Sequence, residues 1–210
     1  MTKILVWLIA FLAWPCVAAP VVSGDYDGFL IGVDRNGSLT GYFESSTGRG
    51  QFSCIFFVSG NVSGSADIVD TWFPGDRDPK EVIHGVLERM SSNGKTAVRL
   101  KLREEPGGCW NVQHFASDQS TFVLTEQGSW ESIRIVGSKR AYFYDDPSSP
   151  KPRKVYAVMG NALRVFDTRE GWVTAEYVSP ENRRTRGWIL ERDLFSAASP
   201  ELSSNAVTQR

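Results

Sequence analysis

Cys109 and His114, in the segment "GGCWNVQHF", are the two residue types needed for a thiol nucleophile and its base. Three features oppose that chemistry. A second cysteine, Cys54, is available as a covalent partner. The segment between "EEPGG" and "ASDQS" reads as a strand. An unprotected thiol in an exported protein is also open to oxidation. The expectation is therefore a Cys54–Cys109 disulfide and no catalytic residue, with a cysteine hydrolase as the weaker alternative.

Metal and cofactor chemistry find little purchase. His84 and His114 are the only histidines, and no zinc-ligand spacing surrounds them. "DRNGS" at 34–38 begins like a calcium loop, but it lacks an acid at the third loop position and has Ser45 at the twelfth. It reads as a turn. Gly48-Arg49-Gly50 has no strand, lysine and helix around it to cradle a phosphate. No metal and no cofactor are expected.

The leader decides the compartment. "MTKILVWLIAFLAWPCVAAP" places Lys3 before an apolar run, Ile4 to Trp14, and ends it in Val17-Ala18-Ala19. That is the pattern of a signal peptide over 1–19, too short to span a bilayer. Cys16 raises lipidation, but Pro15 sits where a lipid-attachment motif needs a small residue. The expected location is periplasmic or secreted, with no stable membrane insertion after cleavage. An even pair of cysteines in such a chain favours a disulfide.

Composition narrows the partners. Aromatic residues make up 12% of the chain and the formal net charge is −1, which gives no reason to expect nucleic acid. Charge is uneven, however. Residues 20–129 hold nine basic and fourteen acidic side chains, whereas residues 130–195 hold twelve and nine. The change near Trp130 marks a boundary. Residues 196–210, "SAASPELSSNAVTQR", are small and polar and are expected to be disordered.

The acidic part alternates short apolar runs with turn signals. "DYDGFLIGV" and "SLTGYFE" flank "DRNG", and "EVIHGVLERM" and "KTAVRLKLR" flank "SSNG". Asn-Gly tolerates the positive φ of tight hairpins. "QFSCIFFV" puts Phe52, Cys54, Phe56 and Val58 on one face, and Val98, Leu100 and Leu102 alternate with Arg99, Lys101 and Arg103. "ADIVDTWF", "CWNVQHF" and "STFVLTE" bring the count to about eight strands. The expected fold is all-β, an antiparallel sandwich or small barrel over 20–129, with a short helix over 81–90 as the local alternative. This part carries no family signature.

The basic part has a different pattern. "RAYFYDDP" leads into a proline-rich loop, "RKVYAVMGNALRVFDT" offers a strand pair turning at Gly160-Asn161, and "REGWVTAEYV" and "TRGWILERDLF" follow. In that order these motifs resemble a bacterial SH3 domain over 130–195, about 65 residues of the chain. The resemblance implies an SH3-like barrel. Two Gly-Trp pairs, Gly171-Trp172 and Gly187-Trp188, each precede a β-branched residue. Trp188 is expected mainly in the core and Trp172 at a groove or rim. Groove members would be Tyr142, Tyr144, Trp172 and Tyr177, with Arg183, Arg184 and Arg186 in the adjoining loop. Aromatic faces with polar tips suit peptides and glycan rings, and arginines suit an acidic partner.

The sequence thus leads to an exported, non-enzymatic binding protein of the bacterial envelope. The resemblance implies peptidoglycan or an envelope protein as its partner. The alternative is a periplasmic inhibitor or immunity protein that blocks a wall-degrading or toxic enzyme.

Overall fold

The computed structural model describes residues 21–197, apart from positions 65, 77 and 119. The expected leader and most of the expected tail lie outside the described residues. Fourteen strands and four 3₁₀ turns make up the regular structure, and no helix among the described residues is long and apolar enough to cross a membrane.

The first eight strands form a closed antiparallel barrel in simple sequence order. They are β1 (Gly24–Tyr26), β2 (Phe29–Val33), β3 (Ser38–Thr47), β4 (Phe52–Asn61), β5 (Ala66–Trp72), β6 (Ile83–Ser92), β7 (Lys95–Leu102) and β8 (Ser120–Gln127). The last pairs with the first, so no sheet edge is left open. Of the two architectures expected for this part, the barrel is the one formed. From Ile83 the 81–90 segment is strand rather than helix, since Glu88, Arg89 and Met90 pair with Arg99, Val98 and Ala97, and Glu81 ends a short 3₁₀ turn.

Two local readings are corrected. "DYDGFLIGV" is two strands, because Asp27 and Gly28 both take positive φ, 51° and 88°, and turn the chain between β1 and β2. "CWNVQHF" is no strand. Gly108 enters the left-handed region at φ 83°, and Cys109–Asn111 then winds a 3₁₀ turn. The count of eight survives because the two errors offset each other.

An eight-stranded barrel is just wide enough to be filled by its own side chains. Phe29, Phe43, Phe56, Phe115 and Phe122 fill this one, with ring centroids 5.0–6.5 Å apart and mostly edge to face. Phe115 comes from the long connection between β7 and β8. Glu105 folds that connection by accepting the backbone N–H groups of Phe115 and Ala116 at 2.9 and 3.0 Å. The Cys54–Cys109 disulfide ties the same connection to β4.

The second unit contains β9 (Ser132–Ile135), β10 (Arg140–Tyr142), β11 (Tyr156–Val158), β12 (Ala162–Arg169), β13 (Trp172–Val178) and β14 (Arg184–Leu190). Four of them form a sheet in the order β14-β13-β12-β9, while β10 and β11 form a two-stranded ribbon. The backbone pair Tyr144–Trp188 connects the two layers, and Val136–Leu194 joins the end of β9 to the segment that follows β14, the other edge strand of the same sheet. Between them lies a core of Val136, Ala141, Phe143, Ala157, Leu163, Val165, Val173, Ala175, Ile189 and Leu194.

The two units share a third apolar cluster. Tyr42, Phe57 and Trp72 on the barrel's outer face meet Trp130, Ile133 and Ile135. This explains why β3 and β4 carry buried residues on both faces. A Cβ on Gly32 would stand 2.5 Å from the Ser132 Cα, so the approach of β2 to β9 requires a glycine. Trp130 Nε1 donates to the Ile31 carbonyl at 2.8 Å, and the Ile133 N–H donates to Thr40 Oγ1 at 2.7 Å. These bonds account for polar groups buried in the contact.

Candidate functional site

Catalytic geometry can be examined first. Cys109 is bonded to Cys54, so it offers no thiol. His114 meets the Trp110 ring edge-on at 5.0 Å and lies 3.6 Å from the Glu105 carboxylate. Burial alone would raise the Glu105 pKa, but the backbone donors of Phe115, Ala116 and Ser117, with His114, bring it below the usual value. His84 pairs with Asp70 at 2.9 Å on the barrel's outer face. Among the described residues no three His, Cys, Asp or Glu side chains gather as a metal site would need.

The aromatic residues singled out in the sequence divide into groups. Paired residues in an antiparallel sheet share a face. Trp172 faces Leu190, Thr174 faces Trp188, and Trp188 in turn faces Tyr144. Tyr144, Trp172 and Trp188 therefore stand on one outward face. The Tyr144 and Trp172 rings meet edge to face with centroids 4.9 Å apart. Tyr142, two residues before Tyr144, packs on Tyr156 at 5.4 Å. All three expected groove residues Tyr142, Tyr144 and Trp172 are half-buried.

Tyr177 does not join them. It is an odd number of residues from Trp172 in an unbroken strand, so its side chain leaves the other face and packs on the inner core. It opens instead on a cleft of about 560 Å³ between the two units, beside Tyr42, Glu44 and Arg164. Trp188 is corrected as well. It is half-buried on the outer face, under the Arg169 guanidinium at 5.6 Å, rather than in the core.

The glycines of the two Gly-Trp pairs have separate causes. Gly171 follows Glu170 in a two-residue hairpin turn where both residues have positive φ. Gly187 is a point of close approach, since a Cβ there would stand 2.8 Å from the Tyr144 carbonyl oxygen. The missing side chain lets the Tyr144 backbone lie against β14, which holds Tyr144 beside Trp188.

The three arginines also part company. Arg184 donates to Glu126 at 2.8 Å and lies 3.6 Å from Glu176, so it ties the units together. Arg186 lies flat on the Phe166 ring at 3.7 Å. Arg183 is exposed, with only Glu181 near it at 3.9 Å. The strongest cation in this region was not among those singled out. Arg164 is 5% exposed, lies over Trp130 at 4.4 Å, and reaches Glu126, Glu176 and Asp25 at 3.2, 3.6 and 3.8 Å. Hydrogen bonding from Arg184, with the nearby Arg164 charge, outweighs burial and holds the Glu126 carboxyl below its usual pKa.

The arrangement is a surface of rings with fixed geometry, bordered by guanidinium groups. It can stack on a ring or a peptide and hydrogen-bond through phenol and indole groups. Alternation in "RAYFY" was the available signal for Arg140, Tyr142 and Tyr144 sharing a face, whereas Tyr156 enters only through strand register. No protein-family model matches this chain, and no curated protein or solved structure is significantly similar to it.

Proposed function

We propose that this chain is an exported, non-enzymatic binding protein of the bacterial envelope, whose SH3-like C-terminal unit contacts peptidoglycan or a protein partner. The carrying observation is the Tyr144–Trp172 pair, two rings locked edge to face at 4.9 Å yet half open to solvent. Rings held this way present contact area with little entropy left to lose on binding. The bacterial SH3 resemblance of 130–195 and the leader-like N-terminus supply the class of partner and the compartment.

The test is retention of the mature protein on purified sacculi and on partners captured from envelope extract. Tyr144→Ala and Trp172→Ala should each weaken retention while leaving near-ultraviolet circular dichroism of the barrel unchanged. Undiminished retention of both variants would remove the reading.

A second reading has one observation of its own. Trp110 is 66% exposed on the turn that the disulfide anchors. A rigid, protruding tryptophan is a good protein-binding anchor. It favours a barrel that docks on, and blocks, another protein. Loss of an envelope partner on Trp110→Ala, with Trp172→Ala retaining it, would select this reading.

A further inference from the structure

The ribbon of β10 and β11 has an outward face of unusual composition. Arg140 pairs with Val158 and Tyr142 with Tyr156, so these four side chains share a face. Period-two alternation adds Tyr144 to it, and Lys154 stands exposed in the bend that leads into β11. The intervening Ala141, Phe143 and Ala157 are buried. Tyr156 is 41% exposed and Val158 43% exposed, which is costly for apolar surface without a role.

The cations of this face are unpaired by carboxylates. Arg134, Arg153, Arg164, Arg169, Arg183 and Arg184 each have an acidic partner within 4.0 Å. Among the described residues of this unit Lys139, Arg140, Lys151, Lys154, Arg186 and Arg192 have none, and Arg140 is the one of them that β10 places on this face. Arg140 is instead held by the tyrosines. Its guanidinium lies 4.7 Å from the Tyr156 ring centroid, and Tyr156 in turn packs on Tyr142 at 5.4 Å. A guanidinium stacked in this way is already ordered and keeps N–H donors for a carboxylate.

The ribbon also has an open edge. The Phe143 N–H donates to the Val155 carbonyl, which makes Ala141–Ala157 the next hydrogen-bonded pair. The peptide groups of Tyr156 then point away from β10 and β11 has no other strand beside it, while those of Val158, the next to point outward, are held by Asn161. An extended chain can add to such an edge.

We infer that the β10–β11 face is a docking surface for an acidic, extended segment of a partner protein, lying along β11 with carboxylates on Arg140 and Lys154. This deepens the proposed function and rests on it for placing the contact in the C-terminal unit. Three features select a protein segment over a glycan or a lipid surface. Tyrosine and arginine are the side chains that protein interfaces concentrate. The free N–H and C=O of Tyr156 match a main chain at one position. The charge of the face requires an acidic one.

The test uses the mature full-length chain and a short capped peptide alternating Glu and Val. A Lys-Val peptide and an N-methylated Glu-Val peptide serve as controls. Binding of the Glu-Val peptide is expected, with loss of affinity on raising salt and no binding of either control. Arg140→Glu should weaken it by about tenfold or more, as for loss of one charged contact in an interface. Lys95→Glu, at an exposed barrel turn, should not. Arg140 is exposed, so its variant should keep the parent melting temperature, which is checked alongside. Failure of the Glu-Val peptide to bind overturns the inference. So does equal binding by Arg140→Glu, or Arg140-dependent binding to phosphatidylglycerol vesicles or sacculi without peptide binding. These outcomes are separate from the Tyr144 and Trp172 retention assay. Intact Trp172-dependent retention with no peptide binding sinks this inference alone.

Discussion

The Arg164 guanidinium lies 4.4 Å from the centroid of the Trp130 ring, joining a residue of β12 to the tryptophan that leads into β9. Three carboxylates surround that guanidinium, two of them from the barrel. The contact between the units is thus both apolar and ionic. That combination makes their relative placement part of the folded structure rather than an accident of a linker.

Removing Arg164 should therefore be felt by the whole molecule. Arg164→Ala leaves Glu176 and Glu126 with fewer countercharges and uncovers Trp130, at a cost of about 3 kcal/mol. Chemical denaturation of the variant measures it. A change within error would show that the ionic part of the contact is dispensable.

The tryptophans should rank by burial, not by motif. Trp130 is 3% exposed and its indole N–H is hydrogen-bonded, so Trp130→Ala should cost about 3–5 kcal/mol. Trp172→Ala and Trp188→Ala, both half-buried on the outer face, should each cost about 1–2 kcal/mol. Melting curves of the three variants check the order, and a Trp188→Ala loss equal to that of Trp130→Ala would contradict the placement.

Thiol labelling of the unfolded, unreduced chain should find neither Cys54 nor Cys109 free. Replacing both with serine should cost roughly 4 kcal/mol, the chain-entropy value for a loop of 55 residues. Two reactive thiols in the native protein would return Cys109 to consideration as a nucleophile.

Acid should loosen the molecule at two identified carboxylates. Glu105 and Glu126 both have folded pKa values below their ordinary 4.5, the first through backbone donors that outweigh burial and the second mainly through Arg184. A depressed carboxylate contributes stability that is complete above the unfolded value and is lost as pH falls through the folded one. Stability should thus be level from neutral pH down to about 5 and decline below 4.5. Urea titrations across that range test this, and Glu105→Gln should flatten the slope. A parallel decline in the Glu105→Gln chain would assign the acid sensitivity elsewhere.

Gly32→Ala probes the closest backbone approach between the units. A Cβ 2.5 Å from the Ser132 Cα must push β9 off β2, at a cost of about 1–3 kcal/mol. Hydrogen exchange should then rise at Ile133, whose N–H bonds Thr40 across the same contact. Unchanged exchange there would mean that the approach is not as tight as placed.

Much of the architecture is written in local pattern. Alternation in "KTAVRLKLR" puts Val98, Leu100 and Leu102 inside because a pleated strand turns successive side chains to opposite faces. Asn93-Gly94 turns β6 into β7 because both residues accept positive φ. The disulfide was legible in the cysteine count, although its attachment to a 3₁₀ turn was not. The all-β class and strand density needed nothing beyond such one-dimensional signals.

Long-range partners decided the rest. Whether eight strands stack as two sheets or close as one depends on β1 meeting β8, a pairing of residues about a hundred positions apart that no local period encodes. Phe57 and Trp72 read as ordinary strand aromatics, and only the arrival of Ile133 and Trp130 makes them interior. Parity within "GWVTAEYV" already puts Tyr177 on the opposite face from Trp172, and what the fold adds is the cleft between the units on which Tyr177 opens. Arg164 reads as one more surface charge until Asp25 and Glu126 of the barrel join Glu176 of the neighbouring strand around it. Local sequence dictates backbone conformation and facing, through sterics and alternation. Which faces are covered, and which cations find partners, is set by contacts between segments whose separation along the chain carries no mark of their meeting.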